Sequence, residues 1–154
     1  MTETDIKCKK AWGSLSFFYL CKFFFQKCNK QIIMIKHIYL NNFTCFEECC
    51  LSFCKGINLF IGRNGTGKTH IMKCMAASMK ANALFEQSTS KTKDKFADLF
   101  TEKLIGYFKP DILGHLVYKY GSGQASVRIA LDAGELAYTF GEKALLAKSD
   151  NNTY

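Results

Sequence analysis

Eight consecutive residues, Gly62-Arg63-Asn64-Gly65-Thr66-Gly67-Lys68-Thr69, carry the chain's clearest potential for chemistry. They fit G-x-x-x-x-G-K-[ST] at each fixed position, the spacing of a phosphate-binding loop. Glycines let the backbone curl so that successive N–H groups converge on phosphate oxygens. The Lys68 ammonium is a compact charge able to reach the β- and γ-phosphates of a nucleotide. The Thr69 hydroxyl is a ligand for Mg²⁺. His70 follows directly and closes the candidate set.

Such a loop works only between a strand and a helix. Upstream, Ile57-Asn58-Leu59-Phe60-Ile61 is a short, mostly apolar run that reads as a buried strand. Downstream, Ile71, Met72, Met75, Ala76 and Met79 recur at helical spacing, predicting a helix from about Lys68 to Asn82. Its first turn would add unpaired N–H groups and a positive dipole end. Before the loop, Ile35–Leu40 reads as a strand, Asn41-Asn42 as a turn, and Phe43–Phe53 as holding a second strand. After it, residues 87–95 form a polar connection, and Phe96, Leu99, Phe100, Leu104 and Ile105 mark a second helix stopped by Pro110. The last third alternates with period two around Leu116–Tyr120, Ala125–Leu131 and Leu136–Phe140, predicting a three-strand antiparallel meander.

The chain has 154 residues, 48% hydrophobic and 22% charged, enough for one domain with a real core. Its net charge is +8, split evenly at net +4 between residues 1–33 and residues 34–154. The second segment is only mildly basic, so contact with DNA is permitted and not demanded. Residues 1–33 place Lys7, Lys9 and Lys10 before an aromatic-rich stretch from Ala11 to Phe25. That stretch is broken by Lys22 and shorter than the ~20 residues a membrane span needs. We read residues 1–33 as an extension outside the fold, with a membrane-touching anchor as the second reading. Residues 34–148 form the domain and 149–154 a frayed tail. Of eight cysteines, four lie between residues 45 and 54. Cys45, Cys49 or Cys50, and Cys54 have the wrong spacing for the usual zinc knuckles, and the histidines are scattered in sequence. Reduced thiols acting as small apolar residues fit better, in keeping with a cytoplasmic location.

The segment Met34–Phe46 followed by Gly56–Thr69 resembles the start of a RecF/SMC/ABC-type, AAA-family ATPase head. Such chains open with a strand, an "NF" turn and a second strand, then run into G-x-N-x-h-x-G-x-N-G-x-G-K-[ST]. Asn42-Phe43 and Gly56-Ile57-Asn58 carry that likeness, with Asn64 and Gly65 inside the loop. The resemblance implies an α/β P-loop NTPase lobe: a mixed β-sheet with flanking helices and an antiparallel meander. It implies ATP and Mg²⁺ as ligands, bound by Gly62, Arg63, Asn64, Gly65, Thr66, Gly67, Lys68, Thr69 and His70, with Mg²⁺ reached through Thr69. Phe46 lies where this group's chains approach the adenine, although a packing role suits it better.

The likeness stops short of the catalytic half. A Walker B strand ends in Asp, often followed by Glu. Val127–Asp132 carries Arg128 internally and runs into Ala133-Gly134, so it reads as a meander strand entering a turn. The chain thus reads as an N-terminal lobe, an incomplete domain without Walker B and signature motifs, binding nucleotide and hydrolysing it weakly alone. A second ATPase head, or a C-terminal half on another chain, would complete it. Two other functions compete. A small P-loop kinase usually places its loop near its start, and the strands before this loop argue against one. A non-functional truncated gene product would show no nucleotide-dependent thermal shift.

Overall fold

The computed structural model describes residues 18–21, 27–28, 31–119, 121, 123–145 and 147–149. Its strands are β1 (Phe18–Cys21), β2 (Lys27–Cys28), β3 (Gln31–Ile32), β4 (Ile35–Phe43), β5 (Phe46–Ser52), β6 (Asn58–Ile61), β7 (Gln124–Leu131), β8 (Glu135–Gly141) and β9 (Lys148–Ser149). Two helices, α1 (Lys68–Gln87) and α2 (Lys93–Phe108), lie between β6 and β7. The main sheet has the order β5-β4-β7-β8-β9, β1 pairs with β6, and β2 pairs with β3. Every pairing among the described residues is antiparallel.

Period-two alternation sorts the main sheet into two faces. Ile38 and Leu40 of β4 stand beside Val127 and Ile129 of β7, all buried. Tyr39 and Arg128, one residue along, pair on the opposite, solvent-facing side. The buried face packs on the helices. Tyr138 of β8 stacks on Phe100 of α2 at 3.5 Å between ring centroids and on Phe96 at 5.7 Å. Phe96 in turn meets Phe85 of α1 edge-on at 5.1 Å. These aromatic contacts add about 0.5–1.5 kcal/mol each beyond burial itself.

Helix α2 starts at Thr92, whose hydroxyl accepts from Lys95 N–H, and stops at Lys109 in the left-handed conformation. Its last residue, Phe108, therefore lies two positions before Pro110, in keeping with the stop that proline predicts. Several other expectations need correction. The turn before β5 is at Thr44-Cys45, and Asn41-Asn42 lie inside β4. Asn42 is buried there, its Oδ1 accepting from Lys119 N–H and its carbonyl from Tyr118 N–H. Leu116–Lys119, the described part of the stretch expected as the first meander strand, is not a strand. Leu113–Leu116 is a 3₁₀ turn, and Val117 makes a single bridge to Phe43. Gly114 permits this, because a β-carbon there would overlap the Glu142 carbonyl. Strand β6 is not buried on both faces: its Leu59 and Ile61 are 42% and 55% exposed, and Ile57, just before it, 67%. Most of the extension expected over residues 1–33, and nearly all of the tail, lie outside the described residues, although Phe18–Cys21 does pair with β6.

Candidate nucleotide-binding site

The loop Gly62–Gly67 joins the end of β6 to the start of α1. Asn58 fixes the base of that strand. Its Oδ1 accepts from Cys54 N–H at 2.9 Å and its Nδ2 donates to Cys54 O at 3.0 Å. Gly65 and Gly67 take φ of +83° and +87°, a region that favours glycine. Gly67 is the N-cap of α1 and brings no side-chain cap, and the first turn holds no acidic residue. The leading amides of α1 are therefore left for an anion.

Lys68 folds over the loop. Its Nζ donates to the carbonyls of Gly62 and Arg63, both at 2.6 Å, and to Thr66 Oγ1 at 3.3 Å. Thr66 Oγ1 itself donates to Arg63 O at 2.9 Å. The ammonium thus lies among neutral carbonyl dipoles, and a phosphate oxygen would offer it a full negative charge in their place. Thr69 is exposed beside it, as are Arg63, Asn64 and Gly65.

His70 lies one turn into the site. Its ring meets Phe108, the last residue of α2, edge-on at 5.5 Å between centroids. The Lys73 ammonium stands over the other partner of that contact, 5.4 Å from the Phe108 centroid. Burial, and then the Lys73 charge, hold the His70 imidazole below its ordinary pKa, which favours the neutral ring.

Sequence reasoning missed what closes the loop from the other side. The tip of the β4–β5 hairpin sits on Gly67: a β-carbon there would lie 2.5 Å from Cys45 Sγ and closer still to Phe46 Cζ. Cys45 Sγ is also 3.8 Å from His70 Nδ1. The "NF" turn followed by Cys45-Phe46 was visible as a hairpin. Nothing in its spacing told which residues of the loop it would touch. Cys49 and Cys74 are buried, and among the described residues no three His, Cys, Asp or Glu side chains converge. Asp132 is committed elsewhere, its Oδ1 accepting from Met34 N–H at 3.1 Å where β4 begins.

With this geometry in place, comparison with known proteins decides the family. Residues 37–154 match the family described as AAA domain. The chain belongs to the AAA domain family. Proteins of that family generally bind ATP with Mg²⁺. A curated relative is structural maintenance of chromosomes protein 6 of Dictyostelium discoideum, 34% identical over 61 residues, which is 40% of this chain and 5% of that protein. The AAA domain therefore spans a small fraction of that relative's length. Among solved structures, one described under ATP-driven dimerization and DNA-stimulated activation of SMC ATPases aligns with a TM-score of 0.48 and 14% identity, covering 76% of this chain and 69% of that one. No helix among the described residues is long and apolar enough to cross a membrane.

Proposed function

We propose that this AAA domain binds Mg·ATP through Gly62–His70 and hydrolyses it weakly alone. One observation carries the reading: the Lys68 ammonium and the uncapped start of α1 meet at a glycine loop with no acid in the first turn. In this reading the loop amides and Lys68 hold the phosphates, Thr69 holds Mg²⁺, and His70 lines the approach. The carboxylate that would orient water is not Asp132, whose hydrogen bond to Met34 N–H ties down the start of β4. A second ATPase head or a C-terminal half supplies the hydrolytic groups. The exposed Ile57, Leu59 and Ile61 beside the loop support such a covering partner. The domain works in the cytoplasm, and DNA is a secondary contact its mild basic charge allows.

Equilibrium binding of Mg·ATP to the full chain tests this. One saturable site is expected, lost or strongly weakened in Lys68→Ala. No saturable binding by the parent chain, or equal binding by Lys68→Ala, would refute it.

A further inference from the structure

We propose, resting on the Mg·ATP reading of the loop, that Thr66 is a positioning residue that competes with phosphate for the Lys68 ammonium and so sets how tightly the nucleotide is held. An ammonium group has three N–H donors and no acceptor. Lys68 Nζ finds three acceptors inside the loop: the carbonyls of Gly62 and Arg63, both at 2.6 Å, and Thr66 Oγ1 at 3.3 Å. Each donor therefore has a partner. A phosphate oxygen gains a direct hydrogen bond from Nζ only by replacing one of the three.

The distances tell which partner yields. Both carbonyls belong to the backbone just after β6, and their bonds are short. Thr66 Oγ1 makes the longest bond of the set and sits on a side chain. Its one hydroxyl proton goes to Arg63 O at 2.9 Å, so a lone pair faces the ammonium. An approaching phosphate oxygen meets that lone pair too. The hydroxyl thus opposes phosphate twice, by holding the cation and by turning an acceptor toward the anion. Gly62 makes room for this arrangement. A β-carbon there would lie 3.0 Å from Thr66 Oγ1 and 3.8 Å from Lys68 Nζ. Thr66 and Lys68 are both half-buried, which strengthens a polar contact between them.

The test uses the full chain with Thr66→Val, which keeps the branched shape and removes the oxygen, and Thr66→Ser, which keeps the oxygen. Exchange of the Lys68 ammonium protons with water is read by ¹⁵N NMR without nucleotide. It should quicken about two- to tenfold in Thr66→Val and return toward the parent rate in Thr66→Ser. Lys80, exposed on the same helix, is the internal reference. Mg·ATP should bind Thr66→Val about two- to tenfold more tightly than the parent. Exchange in Thr66→Val within about twofold of the parent would overturn the proposal, as would equal quickening in Thr66→Ser. So would ATP affinity in Thr66→Val at or below the parent's, the result expected if the hydroxyl only stiffens the loop. A parent chain that binds no Mg·ATP removes the nucleotide reading and this proposal with it, whereas any other failure beside intact parental binding removes this proposal alone.

Discussion

Two glycines of the loop share a backbone conformation and differ in their surroundings, which allows strain and crowding to be measured separately. Gly65 and Gly67 have φ of +83° and +87°. An L-residue in that region costs about 1–2 kcal/mol. Stiffening the unfolded chain returns about 0.4–1 kcal/mol. A methyl group on Gly65 meets nothing within 4 Å, so Gly65→Ala should cost roughly 0–1.5 kcal/mol. On Gly67 the same methyl would lie 2.5 Å from Cys45 Sγ and nearer to Phe46 Cζ, so the hairpin tip must withdraw. Overpacking of this kind adds about 1–3 kcal/mol, bringing Gly67→Ala to roughly 1–4 kcal/mol. Urea unfolding of both variants reads the difference directly. Phe46→Ala removes two of the three crowding atoms. Combined with Gly67→Ala, it should recover part of the loss, a coupling of about 0.5–3 kcal/mol. If Gly65→Ala and Gly67→Ala are equally destabilised within about 0.5 kcal/mol, the hairpin tip does not press on the loop and the argument fails.

Other outcomes can be checked with the same material. Thr69→Ala should weaken ATP binding in the presence of Mg²⁺ and leave Mg²⁺-free binding nearly unchanged, because the hydroxyl is assigned to the metal; equal losses in both conditions would contradict that role. Burial pushes the Cys74 thiol up to about 12, so the fold prefers its neutral form. Its contribution is complete below about pH 9 and is lost at about 1.4 kcal/mol per pH unit above it, as the unfolded chain ionises first. The urea stability of the parent relative to Cys74→Ala should therefore shrink between about pH 8 and pH 10, and a constant difference would refute the assignment. Thr101→Val removes the buried hydroxyl that accepts from Ala147 N–H at 2.9 Å, and should cost about 1–3 kcal/mol in the same assay.

The loop and its flanking elements were legible because each part of the pattern has a local cause. Glycine spacing, a lysine and a hydroxyl at fixed offsets, and apolar residues at helical period need no distant partner to be read. Helix α2 was legible for the same reason, with Pro110 setting its limit. The misread elements depend on contacts far along the chain. Asn42 looks like a turn residue, yet Tyr118 and Lys119, over 70 positions away, draw it into β4. Leu116–Tyr120 alternates like a strand, yet Gly114 brings the chain against Glu142 and leaves one bridge to Phe43. The apolar run of β6 could not reveal that Leu59 and Ile61 face outward, since a run of that length fits a covered strand equally well.

The same long-range contacts support the shape of the loop. Three supports converge on it from different elements: Asn58 anchors the approach through Cys54, the hairpin tip rests on Gly67, and Phe108 at the end of α2 meets His70. Phe108 also packs edge-on against Phe43, which is itself buried in β4 and 6.2 Å from Phe140 of β8. The antiparallel sheet therefore reaches the site through the hairpin and through α2, and both routes start at the same strand. A change in the packing of β4 would be felt at Gly67 and at His70 together. On the proposed reading, nucleotide affinity would depend on the packing of the whole lobe, and not on the eight loop residues taken alone.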